Sequence, residues 1–283
     1  MIVDVHTHAP NFFMNVDEDE VGNTEVNSSM RPDQSGGVKL IFTDEEHLEG
    51  TKGADKVICF NMAIGPESPN DATAAYANKY PDRVIGFMGL DPHDPNVLDE
   101  LDRCIELGLK GIKLGPIYQK FHPLDRRAYA IYARAQQLNL PILFHQGATY
   151  PRRAPLKYAN PVLLEDIALD FPDLKLIIAH MGHPWFAEAI VTFRKQPNVY
   201  ADISGLFYRP WQFYQAMSLC YEYGQLDKLL FGSDYPIATT AETLQGLRDV
   251  NKIVEGTNLP RIPEDEIEKI IHRDTLRLLG LES

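Results

Sequence analysis

The sequence predicts an α/β fold, a (β/α)8 TIM barrel distorted by one long insertion over the mouth after its first strand. Three observations carry that expectation. Short apolar runs rich in Val, Ile, Leu and Phe recur along the 283 residues, each followed by a polar loop and then by a segment of helical periodicity. The runs are apolar almost throughout, without the in/out alternation of a sheet that has one wet face, as strands buried on both faces require. An open doubly wound sheet, the competing architecture, would carry a glycine-rich phosphate loop after its first strand, whereas that strand here runs into His6-Thr7-His8. Eight βα units close into a barrel of about 250 residues, so residues 1–283 are read as one barrel domain.

Taken in order, the strand-like runs are Met1–Val5, Lys56–Met62, Val84–Leu90, Gly111–Leu114, Pro141–His145, Leu174–His180, Asn198–Ile203 and Lys228–Gly232. Helices are expected over Asp71–Tyr80, Asp94–Leu109, Asp125–Leu138, Pro161–Phe171, Pro184–Phe193, Pro210–Tyr223 and Thr239–Val254. In the second of these, Val97, Leu98, Leu101, Cys104, Ile105 and Leu109 recur at spacings of three and four, one apolar stripe of a helix. Ala128, Ile131, Tyr132, Ala135 and Leu138 repeat the pattern in the third. Pro or Asp opens several segments, as first turns favour, and Gly108 and Gly224 sit where helices should stop. Residues 9–55 break the rhythm with the acidic run Asp17-Glu18-Asp19-Glu20 and the polar run Asn27-Ser28-Ser29. Leaving the C-terminal end of strand 1, this segment is read as a lid or specificity loop, a disordered surface insertion being the alternative.

Composition narrows the function classes. With 27 Lys+Arg against 40 Asp+Glu the formal net charge is −13, and no run of basic residues offers a nucleic-acid surface. No apolar stretch approaches the roughly 20 residues of a membrane span. The N-terminus lacks the basic region of a signal peptide, and Cys59, Cys104 and Cys220 are odd in number and set in apolar contexts, so a reduced, cytoplasmic protein is expected. The expected partner is a small, anionic molecule; homo-oligomerisation stays open.

The histidines carry the chemistry. His6 and His8 are two apart on the first strand and so share a face, here the barrel interior. His145 closes the fifth run, His180 the sixth, and Asp234 follows the eighth. All five map to C-terminal strand ends, where barrels of this class build their sites. Several imidazoles and a carboxylate at one point make a transition-metal site, and unpaired they would be costly to bury. A lone buried histidine reads better as a satisfied core polar residue; five such residues at strand ends together read as a metal site.

Asp4-Val5-His6-Thr7-His8, Gly111-Ile112-Lys113-Leu114, Phe144-His145-Gln146-Gly147, Ala179-His180-Met181-Gly182-His183-Pro184-Trp185 and Phe231-Gly232-Ser233-Asp234-Tyr235-Pro236 together resemble the amidohydrolase superfamily. Within it the chain is similar to the amidohydrolase-related, aminocarboxymuconate-semialdehyde decarboxylase-like group of metal-dependent barrels. The resemblance implies that His6, His8, His145 and Asp234 hold a divalent metal, zinc by expectation. It makes His180 a catalytic base or a further ligand, and places His183 and Trp185 in the substrate pocket.

Lys113 reads as an anchor for a substrate carboxylate or a partner for Asp234. The resemblance also allows a carboxylated lysine bridging two metals, against which one ion is expected. Tyr118, Gln119, His122, Arg152, Arg153, Tyr208 and Arg209 are weaker candidates, with a solvated loop as the alternative for each. His47, His93 and His272 receive no functional role. Two reactions fit this site. In metal-dependent hydrolysis of a small carboxylate-bearing ester, lactone or amide, Asp234 takes the proton of water while His180 and Lys113 face the developing oxyanion. Non-oxidative decarboxylation is the alternative. A barrel that had lost its chemistry would lack at least one of the five mouth residues, and none is missing.

Overall fold

The computed structural model describes residues 1–10, 30–34, 38–65 and 67–282. Its core is an eight-stranded, all-parallel sheet in sequential order: β1 (Val3–His8), β2 (Lys56–Phe60), β3 (Val84–Gly89), β4 (Ile112–Leu114), β5 (Ile142–Phe144), β6 (Leu176–Ile178), β7 (Val199–Asp202) and β8 (Leu229–Leu230). The seam closes through the residues beyond β8. Val5 N–H donates to the Phe231 carbonyl, Asp234 N–H to that of His6 and His8 N–H to that of Tyr235, at 2.8–2.9 Å. The TIM barrel that the apolar runs predict is therefore present.

Both faces of the strands are buried, for different reasons. Ile58, Phe60, Phe87, Leu143, Ile177 and Leu230 fill the barrel interior, while Ile112, Ile142, Phe144, Leu176 and Ile178 pack against the surrounding helices. The interior is thus a packed core and leaves room for ligands only at the mouth. The helices are α1 (Asp44–Gly50), α2 (Asn70–Lys79), α3 (Val97–Glu106), α4 (Pro116–Gln119), α5 (Arg126–Gln137), α6 (Leu163–Asp170), α7 (Phe186–Lys195), α8 (Pro210–Glu222), α9 (Thr240–Arg248), α10 (Glu264–Ile271) and α11 (Thr275–Leu279). Gly108 and Gly224 fall just past α3 and α8. The segment expected as one helix to Val254 stops at Arg248, and a separate 3₁₀ turn covers Lys252–Val254.

Strand 1 runs past its apolar stretch through His6 and His8 and contains a kink in register. Asp4 pairs with Val57 but Thr7 with Cys59, so β1 holds one residue more than β2 between these pairs, a bulge. Its effect is on parity. Val3 and Val5 face the inner core and Asp4 faces outward, where its carboxylate accepts from Thr240 Oγ1 at 2.7 Å and from Ser233 N–H at 2.9 Å. Beyond the bulge the even-numbered His6 and His8 turn inward.

The 9–55 segment is not one loop. Its acidic and polar runs lie outside the described residues, but its last third holds α1, opened by a capping box between Thr43 and Glu46. His47 of this helix is fully buried, with Nε2 3.1 Å from Thr7 Oγ1 and Nδ1 2.9 Å from Tyr76 OH, tying β1 to α2. Burial pushes its pKa down to about 3. Between pH 6.5 and 3 the unfolded chain therefore binds a proton here that the folded chain refuses, so this contribution to stability is intact above pH 6.5 and lost as the pH falls. Relative to His47→Gln, the wild type is expected to lose roughly 2 kcal/mol more stability between pH 7 and pH 5. Denaturant midpoints at the two pH values check this, and parallel losses in both proteins would remove the buried-imidazole account.

Candidate metal centre and active-site cavity

The predicted mouth residues converge. His6 and His8 lie within β1. Their rings are 5.7 Å apart, and their Nε2 atoms sit 3.3 and 3.1 Å from the same oxygen, Asp234 Oδ1. Asp234 lies beyond the end of β8, not on it, with a left-handed φ of 67° that only Asp, Asn and Gly adopt readily. His180 likewise sits past its strand, in a tight turn (φ 55°, ψ 31°), which swings its ring to 4.8 Å from that of His6. His6, His180 and Asp234 each offer one ligand atom, and these lie within 4.8 Å of one another. His145 follows β5. Its ring is 5.1 Å from that of His180 and its Nε2 is 3.3 Å from the Ala148 carbonyl, which places it beside the cluster on the His180 side.

The charge states suit a cation. Burial holds the His6 imidazole down at about pKa 4, helped by the Lys113 charge, and burial also lowers His8 and His145, so these rings are neutral with lone pairs available. Burial pushes the Asp234 carboxyl up, but the surrounding His180, His8 and His6 more than offset it and keep Asp234 below the usual carboxylate range. Neutral imidazoles around an ionised carboxylate are the protonation states metal ligation requires. The residues therefore fit a divalent cation.

Lys113 is almost fully buried on β4. Its Nζ lies 3.5 Å from His6 Nε2 and 4.3 Å from the centre of the Phe60 ring, and burial brings its pKa down to about 7. It faces the same cavity as His8, His145, His180 and Asp234, a space of about 350 Å³, within the range of small-molecule sites. The wall is largely apolar and aromatic, with Met30, Met62, Ile64, Tyr118 and Tyr208. Met30 belongs to the 9–55 segment, so that segment reaches the mouth.

Among the weaker candidates, Tyr118, Tyr208 and Arg209 line the cavity. The Arg209 guanidinium stacks 4.7 Å over the Tyr208 ring and donates to Tyr150 OH. His183 also lines it, hydrogen-bonded to Gln212 at 2.6 Å. Trp185 is not among the described lining residues; it stands at the start of α7. Gln119 is structural, spanning Gly115 N–H and the carbonyls of Ala63 and Leu90. Arg152 and Arg153 are exposed, and His122 caps its own loop through Leu124 N–H.

Sequence reading missed Asp202 and Ser204, which follow each other closely at the end of β7. Asp202 Oδ2 lies 2.8 Å from His6 Nδ1, and Ser204 Oγ lies 2.8 Å from His180 Nδ1. The available signal was the acid in Tyr200-Ala201-Asp202, at the end of the seventh apolar run, where only the more distant Tyr208 and Arg209 had been considered.

An eight-stranded parallel barrel with imidazoles and a carboxylate gathered at its C-terminal mouth defines a metal-dependent enzyme barrel. The amidohydrolase family profile matches residues 3–281, and the chain belongs to that family. Among solved structures it is similar to an uncharacterised TIM-barrel protein from Bordetella bronchiseptica (23% identity, 99% of this chain and 98% of that one, TM-score 0.72). It is also similar to a probable 2-pyrone-4,6-dicarboxylic acid hydrolase from Acinetobacter baumannii (17%, 99% and 99%, 0.68). A third is a dihydroxybenzoic acid decarboxylase from Polaromonas with bound manganese and 2-nitroresorcinol (18%, 99% and 97%, 0.66). None of the curated proteins compared matches the chain. Among the described residues no helix is long and apolar enough to cross a membrane.

Proposed function

We propose that this chain is a metal-dependent hydrolase that cleaves a small carboxylate-bearing ester, lactone or amide. The observation that carries the reading is Asp234. It is an ionised carboxylate shared by His6 and His8 at 3.1–3.3 Å, and it also borders the cavity, so one group serves both as ligand and as proton acceptor. His6, His8, His145 and Asp234 would hold one divalent cation, zinc by the imidazole-rich donor set. The cation supplies Lewis acidity and brings the pKa of a water molecule near neutrality.

The remaining work falls to the chain. Asp234 accepts the proton of the attacking water and returns it to the leaving group. Lys113 Nζ and the His180 ring, both facing the cavity, stabilise the charge that develops on the carbonyl oxygen. Arg209, at the rim over Tyr208, meets the substrate carboxylate.

Decarboxylation is the second reading, and the aromatic wall favours it. Met62, Tyr118 and Tyr208 with a nearby guanidinium suit an aromatic acid, and aromatic-acid decarboxylases share the fold. Metal-loaded protein offered lactones, esters and hydroxybenzoates in parallel separates the two. Acid release without CO2 is expected; CO2 as the sole product would replace hydrolysis by the second reading. Metal analysis of the purified protein is expected to find one equivalent of zinc per chain.

A further inference from the structure

We propose that Asp202 and Ser204 form a shared positioning pair that holds His6 and His180 in the same tautomer, each with Nδ1 protonated and Nε2 bare. The tautomer claim rests on hydrogen-bond geometry alone; its catalytic consequence rests on the metal-dependent reading above.

The assignment follows from which atoms can only accept. Asp202 is completely buried, and its carboxylate has no proton to give. Its Oδ2 lies 2.8 Å from His6 Nδ1, so that nitrogen carries the hydrogen. Its Oδ1 accepts from the backbone N–H of His180 at 2.9 Å, from the backbone N–H of Ser204 at 3.1 Å and from the Ser204 hydroxyl. The hydroxyl hydrogen is thereby committed to Asp202, which leaves Ser204 Oγ as an acceptor for His180 Nδ1 at 2.8 Å. The Ser204 carbonyl, which can only accept, lies 3.1 Å from the same nitrogen and requires the same assignment. One unbroken chain therefore links His180 Nδ1–H, Ser204 Oγ–H, Asp202 and His6 Nδ1–H, across 196 residues of sequence between His6 and Asp202.

The arrangement has a chemical result. With Nδ1 protonated, His6 presents a bare Nε2 at 3.3 Å from Asp234 Oδ1. Two acceptors then face each other with no hydrogen of their own between them; Lys113 Nζ, 3.5 Å from the same Nε2, is the donor beside them, and a divalent cation would satisfy both acceptors together. One buried carboxylate thus orients a nitrogen of the cation site and the neighbouring imidazole proposed to act on substrate. Neither Asp202 nor Ser204 is among the described residues lining the cavity; they act through the two rings, as outer groups of metal sites do.

The test is a tautomer measurement on metal-free protein with ¹⁵N-labelled histidine. His6 and His180 are both expected to show a protonated Nδ1 and a bare Nε2; a protonated Nε2 on either neutral ring overturns the proposal, whatever the variants do. In Asp202→Asn the two backbone N–H groups of His180 and Ser204 claim the amide oxygen. The amide nitrogen then turns its hydrogens to His6 Nδ1, which must accept. His6 is expected to switch to the Nε2–H form, and the dissociation constant for Mn2+ to rise about 10–100-fold. Ser204→Ala removes the longer 3.2 Å contact of Oγ with His6 Nδ1 but leaves the carboxylate there at 2.8 Å, so Mn2+ affinity stays within a few-fold of wild type while the His180 signal changes, and Ser204→Thr restores it. A His6 tautomer and Mn2+ affinity both unchanged in Asp202→Asn would refute the pair's role. If the wild type binds no Mn2+ or zinc at all, the metal-dependent reading fails by itself, and the tautomer spectra still decide the positioning claim.

Discussion

Asp234→Asn is expected to reduce kcat/KM by about 10⁴-fold, the upper end of what one general acid–base group contributes. Asn is the informative replacement because it keeps everything but the charge. Position 234 has φ 67°, which Asn tolerates and Ala does not. Its backbone N–H donates to the His6 carbonyl at 2.8 Å and its own carbonyl accepts from Ile237 N–H at 2.7 Å, contacts that any side chain leaves intact. The barrel seam therefore survives. The amide, by contrast, cannot take a proton from water, and only its oxygen can serve a cation. Steady-state kinetics, metal content and the melting temperature of the metal-free protein together check this. Activity within tenfold of wild type would remove Asp234 from both proposed roles.

How much of this was legible in the chain depends on what kind of signal each feature leaves. Strands buried on both faces announce themselves as apolar runs, and the eight runs lie where the eight strands are. Their C-terminal ends were the hard part, for a physical reason: the site itself sits there. The first apolar run stops at Val5, but the strand itself continues through His6 and His8, as expected, and both are buried. His180 and Asp234 were expected on or directly after strand ends, whereas both occupy left-handed turns beyond them.

Their convergence was still visible, because parallel strands bring all such ends to one mouth. The inward direction of His6 and His8 was right for an incomplete reason. Unbroken alternation from Val3 and Val5 would send them outward with Asp4, and the bulge between Asp4 and Thr7 reverses the parity. Nothing in the local sequence marks that bulge; it exists in the pairing with β2. Asp202 was missed for the same reason, since its meaning lies in a ring 196 residues away. His47 was given no functional role, and its burial between Thr7 and Tyr76 could not be read from a segment expected to be a loop.

The tightness of the site makes a second large effect predictable from a residue that has no side chain. Gly205 follows Ser204 with φ 67°, and a β-carbon built there would stand 3.2 Å from His180 Nδ1, 3.4 Å from Asp234 Oδ2 and 3.5 Å from Tyr208 OH. Gly205→Ala thus meets two penalties of different kind. The left-handed backbone costs an L-residue about 1–2 kcal/mol, a fall in melting temperature of about 2–3 °C in a domain this large. The methyl group also presses on His180 and comes into contact with Asp234, the two groups proposed to handle protons. Small displacements from a reactive geometry cost about 10²-fold in rate, so the loss in kcat is expected to exceed by far what the modest loss of stability would suggest. Kinetics at a temperature where the variant is fully folded separate the two effects. A variant that melts a few degrees early yet turns over at the wild-type rate would mean that His180 and Asp234 do not flank the reacting atoms, and the catalytic assignment would have to move elsewhere along the cavity wall.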